Sequence, residues 1–185
     1  MTTDDFVQAD SLLVRYWDQH GSGHQLAERD RDFDLLRSLR WSGGTDEFRG
    51  LFDDDHLVAM WELDLTSPGP GWSASERQEG CDGVLLLRAD PVQPRAEQLV
   101  TLWLTDHLAR RPCPPAWLRW SLPFDEPAAL AARSWGWQEV RHAHGYHLLQ
   151  LVPELRPTLS LLIANHDQPE PALTRSRPVP ARTDR

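Results

Sequence analysis

Apolar positions recur along the first 152 residues in short blocks whose period changes from block to block. Residues 11–17 are apolar and β-prone, which predicts a first strand ended by Gly21-Ser22-Gly23. Residues 30–40 carry Phe33, Leu36 and Leu39 at helical spacing, with Asp30 or Asp32 as cap and Gly43-Gly44 as breaker. Thr45 fits an N-cap for a short helix through Phe52. Residues 56–66 alternate well. Leu57, Ala59, Trp61, Leu63 and Leu65 share one face, and Glu62 and Asp64 share the other. Residues 72–78 predict a polar, exposed partner strand. Val84-Leu85-Leu86-Leu87 is an unbroken apolar run, the pattern of a central strand covered on both faces.

Residues 94–111 give the strongest helix. Leu99, Leu102, Trp103 and Leu108 form its stripe, Pro94 suits the first turn, and Pro112-Cys113-Pro114-Pro115 ends it. Residues 117–122 read as a strand. Asp125 caps the next helix, and Gly136 stands where a left-handed residue closes one. Residues 138–142 and 145–152 predict two final strands. The order is β-α-α-β-β-β-α-β-α-β-β, an α/β arrangement with a mixed sheet and helices on its faces.

Phe124-Asp125-Glu126-Pro127-Ala128-Ala129-Leu130-Ala131-Ala132-Arg133-Ser134-Trp135-Gly136-Trp137 resembles the Asn-x-x-Ala-x-x-Leu-Tyr-x-x-x-Gly-Phe segment of GNAT-superfamily acyltransferases. The element order, over roughly residues 10–152, is also that of the GNAT fold. The resemblance implies an acyl-CoA N-acyltransferase with acetyl-CoA, or another acyl-CoA, as co-substrate. The cofactor would lie between two parted parallel strands, with the parting expected after Leu87. Its pyrophosphate would rest on the N-terminus of the following helix, where free amide hydrogens and the helix dipole favour an anion.

The residues matching that cofactor segment are Leu87 and Arg88, then Gln93-Pro94-Arg95-Ala96-Glu97-Gln98, with Asp125 on the next helix. The family's loop has Gly at the positions of Ala96 and Gln98. The family's Tyr, often the acid for the leaving thiolate, is Ala132 here. Tyr146, on the last strand, is the substitute candidate. Glu62 and Asp64 are candidate bases, because burial would raise a carboxylate toward a useful pKa; a solvated strand face is the plainer account of both. Asp90 either serves there too or ends its strand before Pro91. His142, His144 and His147 cluster near the C-terminal hairpin, but no carboxylate or Cys falls at ligand spacing, so no metal is expected.

Composition narrows the partners. The chain has 185 residues and a net charge of −9, and all 19 of its basic residues are Arg. An acidic surface disfavours nucleic acid and anionic membranes and suits a small-molecule or peptide amine acceptor. The nine Trp residues are core or pocket wall. Two Cys form no disulfide framework, and no leader or membrane-length apolar run is evident, so a cytoplasmic protein is expected. Residues 1–152 form the expected domain. Residues 153–166 are an extension that would cover a sheet edge or meet a second copy in a homodimer. Residues 167–185 read as a disordered Pro/Arg-rich tail. Two functions follow: a CoA-dependent N-acyltransferase, and a GNAT-like binding or regulatory domain without activity.

Overall fold

The computed structural model describes residues 3–20, 26–42, 48–65, 67–77, 79, 81–93, 95–124 and 128–159. Two helices come first, α1 (Thr3–His20) and α2 (Leu26–Ser42). The predicted strand over 11–17 is thus helical. Phe6, Ala9, Leu12, Leu13, Tyr16 and Trp17 form one buried stripe, and that helical period emerges only when the window extends back to Phe6. Asp4 and Asp5 suit the positive end of α1.

Strands β1 (Phe48–Asp53) and β2 (His56–Asp64) form a hairpin. The expected helix over 45–52 gives way to β1, because pairing with β2 outweighs a weak local helix signal. Asp54, in the two-residue turn, adopts φ 52°. After the short helix α3 (Ala74–Arg77) come β3 (Cys81–Ala89), α4 (Ala96–Ala109), β4 (Trp117–Pro123), α5 (Ala128–Ser134), β5 (Gln138–Ala143) and β6 (Tyr146–Leu151). These strands make one mixed sheet in the order β1-β2-β3-β4-β6-β5, in which β3 and β4 run parallel. Among the described residues, no helix is long and apolar enough to cross a membrane.

Each sheet face has its own core. On one face Trp61, Leu87, Trp120, Leu149 and Trp137 pack with Val100, Leu104 and Leu108 of α4 and Ala129 and Ala132 of α5. On the other, Phe48, Met60 and Leu86 pack under α1 and α2. The rest of that second face, over β4, β6 and β5, is covered by the β2–β3 connection.

That connection is not the exposed strand predicted over 72–78. It is a strap that crosses β3 at Gly83, where a Cβ would stand 2.1 Å from the Ser67 carbonyl oxygen. No other residue permits that approach. Gly69 and Gly71 take φ 87° and 83°, which breaks strand geometry. Trp72 is buried between the Arg119 and Arg141 guanidinium groups, 4.5 and 5.7 Å from its ring. Its indole N–H donates to Ser121 Oγ at 3.1 Å. Arg141 pairs with Glu76, and this hydrogen bond holds the Glu76 carboxyl far below its usual range.

Gly136 takes φ 103° after α5, as expected. Asp125, the predicted cap, lies outside the described residues. So does 160–185, which contains the predicted tail. The start of the C-terminal extension folds back on α4: Glu154 donates its amide N–H to the Thr105 carbonyl, Arg156 donates its own to Asp106 Oδ1 at 2.6 Å, and Leu159 is buried.

Candidate acyl-transfer cleft

The parallel pair β3 and β4 is joined only at its start. Cys81 faces Trp117, and the register runs through Val84 opposite Trp120. Beyond that point the two strands part, although β3 continues to Ala89 and β4 to Pro123. The parting comes three residues earlier than expected. β3 keeps its other neighbour throughout, with Ala59 opposite Ala89 and the Asp90 amide on the Val58 carbonyl at 2.8 Å. Alternate residues of a strand direct their peptide groups to opposite sides. Asp90 and Arg88 therefore turn toward β2, and Leu87 and Ala89 turn their peptide groups toward the opening.

A cavity of about 180 Å³ lies at the mouth of this opening. Its walls are Tyr16 and His20 of α1, Ala89, Asp90 and Pro91 after β3, Gln93 and Glu97 at α4, and Ala128, Ala131 and Trp135 at α5. The structure thus brings Gln93 and Glu97 to the cleft. Arg95 occupies the N-cap of α4 without a side-chain cap and is exposed, whereas Ala96 is buried. Neither these two nor Gln98 lines the cavity. The Ala96 amide donates to the Gln93 carbonyl at 2.9 Å, and the Gln93 amide to the Asp90 carbonyl at 2.8 Å, so the loop is a run of tight turns.

Asp90 has two partners here. Its Oδ1 accepts the Val92 amide at 3.1 Å, and its Oδ2 takes two bonds from Arg15, at 2.9 and 2.6 Å. It organises the loop, and it neutralises Arg15 at the edge of the cleft. Tyr16, His20 and Arg15 were invisible as site residues in the sequence because their segment read as a strand. Recognising the longer helical stripe from Phe6 would have turned Tyr16 and His20 toward the sheet; Arg15 lies beside that stripe and is exposed.

Arg88 does not face the cleft as a cofactor ligand. It is 5% exposed and pairs with Asp32 at 2.8 Å. Its guanidinium lies 4.9 and 5.4 Å from the Tyr16 and Trp17 rings. It also donates to the Leu87 carbonyl at 3.0 Å, one of the groups turned toward the opening. Leu87 has no exposed surface, peptide unit included, and its carbonyl is taken by Arg88.

Glu62 sits on β2 opposite Leu86 on one side and Phe48 on the other. It is 6% exposed, so the expectation of a solvated face does not hold. Its Oε2 has no hydrogen-bond partner among the described residues. Burial first, and then the charge of Asp64, raise its pKa from 4.5 to about 7. Asp64 itself accepts the Ser67 amide at 3.1 Å, where the strap begins. Tyr146 starts β6 opposite Pro123, level with the open end of β4. Neither Glu62 nor Tyr146 lines the cavity; Glu62 is one strand away on the helix-covered face. Ala132 is fully buried against the core.

No protein-family model matches the chain, and no curated protein matches it. Solved structures do. The chain is similar to a putative acetyltransferase from Staphylococcus aureus, with TM-score 0.59 and 14% identity over 83% of this chain and 97% of that one. It is similar to the PaiA N-acetyltransferase of Thermoplasma acidophilum in complex with coenzyme A, with TM-score 0.58 and 11% identity over 82% and 95%. It is also similar to the ribosomal-protein-S18-alanine N-acetyltransferase of Escherichia coli, with TM-score 0.53 and 14% identity over 84% and 92%. The fold is that of the GNAT N-acetyltransferases. The cavity is small beside ordinary ligand pockets of about 300 Å³ or more.

Proposed function

We propose that this chain is an acyl-CoA-dependent N-acyltransferase, with acetyl-CoA the reference donor and a primary amine of a small molecule or peptide as acceptor. The carrying observation is the parting of β3 from β4 after Val84 and Trp120, beside a helix start with no side-chain cap. The thioester supplies an activated acyl carbonyl. The chain's part is to align that carbonyl along the β3 edge and to deliver a neutral amine to it. Glu62, poised near pH 7, accepts the ammonium proton from an acceptor bound on its face of the sheet. Tyr146 is the candidate to protonate the leaving thiolate, since Ala132 carries no acidic group.

A second reading is a binding domain without transferase activity. Arg88 bonded to the Leu87 carbonyl and the modest cavity favour it. Thermal unfolding with acetyl-CoA, longer acyl-CoA or free CoA tests the first reading. A ligand at about 100 times its Kd adds roughly 2.7 kcal/mol and a clear rise in Tm. No rise with any of the three removes the transferase reading. A rise without turnover of any amine tested leaves the binding domain.

A further inference from the structure

Glu139, His142 and His147 come together on the C-terminal hairpin, away from the cleft. Residues three apart on a regular strand point to opposite faces. Here the β5–β6 register slips between Glu139 and Arg141, and an extra residue re-aims the side chains around it. Glu139 thereby joins His142, which lies directly opposite His147. One ligand atom from each of the three lies within 4.8 Å of the others. Glu139 Oε1 meets His142 Nε2 and is 3.1 Å from His147 Nδ1. Phe124 stands edge-on to both imidazoles, each 5.1 Å away. The second Glu139 oxygen is held by Arg133 of α5. A surface depression lined by Arg133, Glu139, Val140 and His142 leaves the group open to solvent.

We propose that this triad is a metal site for a borderline divalent transition ion, with Zn²⁺ the reference. The ligands are His142 Nε2, His147 Nδ1 and Glu139 Oε1. Two imidazoles with one carboxylate suit Zn²⁺ and its transition-metal neighbours; Mg²⁺ and Ca²⁺ take oxygen-rich sets. Three protein ligands leave one position for water. Phe124 limits rotation of both rings. Arg133 orients the carboxylate from outside the ligand set. The ion would tie the two strands of the hairpin together and, through Arg133, link them to α5, whose Ala128 and Ala131 line the cleft. The expectation of no metal is revised because the register slip supplies the carboxylate that regular alternation withholds.

Calorimetric titration of the chelator-treated full chain with Zn²⁺ tests this, alongside Co²⁺ absorption. One equivalent of Zn²⁺, a raised Tm and the visible bands of four-coordinate Co²⁺ are expected. His142→Ala and Glu139→Gln remove that equivalent, and His144→Ala, in the exposed turn, keeps it. Arg133→Gln weakens binding by roughly 10- to 100-fold. Ring-proton shifts of His142 and His147 on Co²⁺ binding give the answer on the unaltered chain, so a variant that folds poorly does not leave the question open. No stoichiometric binding, or binding that survives both His142→Ala and Glu139→Gln, overturns the site.

Discussion

Asp32 and Glu62 are acidic side chains buried on the same helix-covered face of the sheet, and their surroundings are opposite. Asp32 accepts from Arg88 at 2.8 Å and from the Trp17 indole N–H at 3.2 Å, and Arg88 in turn lies against two aromatic rings. Glu62 has Phe48 and Leu86 as strand neighbours, Asp64 as its nearby charge and an oxygen with no hydrogen-bond partner among the described residues. A buried charge with a full set of partners locks elements together. A buried carboxyl without them favours its neutral form and becomes a proton acceptor near neutral pH. The pair therefore separates a residue that holds α1 and α2 on β3 from one whose carboxyl is pushed toward its neutral form.

The largest test of that contrast is Asp32→Ala. It removes the carboxylate that pairs with the buried Arg88, and a loss of about 3–5 kcal/mol is expected in urea unfolding. Replacing both partners, Asp32→Leu with Arg88→Met, should recover much of it. A loss under about 1 kcal/mol in the single variant would mean the ion pair locks nothing.

Glu62→Gln should act the other way. Between the ordinary value of 4.5 and about 7, the folded chain holds a proton that the unfolded chain has released. Stability from this group is therefore greatest at low pH, falls as pH rises through that window, and is level above it. The variant should remove that fall and be more stable than the parent at pH 8 by on the order of 2–3 kcal/mol. If acyl transfer is observed, the rise in rate near pH 7 should vanish with it. An unchanged pH profile of stability would show that Glu62 is solvated after all.

The smallest effect belongs to the half-exposed Arg15–Asp90 pair at the cleft. Arg15→Ala should reduce stability by about 1 kcal/mol or less, yet raise the acyl-CoA concentration needed for half-maximal protection against heat. Equal protection in both proteins would place Arg15 outside the ligand's reach.

The sequence carried most of the framework. Alternation located β2, the apolar run located β3, and Gly136 marked the end of α5; α4 lies where its apolar residues recur at helical spacing, but its buried face is Val100, Leu104 and Leu108, and of the expected stripe Leu99, Leu102, Trp103 and Leu108 only Leu108 is buried. Each signal lies in consecutive residues, although β2 is buried on both faces, with Leu57 and Met60 in one core and Ala59, Trp61 and Leu63 in the other. Gln93 was singled out by its resemblance to the GNAT loop, and it lines the cavity. What the chain by itself could not decide are the contacts across it. Whether Glu62 faces water or core depends on α1, whose stripe is too easily cut short. Trp72 reads as exposed until the strap crosses Gly83 and seats it between two Arg residues of other strands. Glu139 joins two His residues only through a register slip. Local periodicity determines which elements form; burial, charge partners and strand register are properties of neighbours far apart in the chain, and these the tertiary structure alone decided.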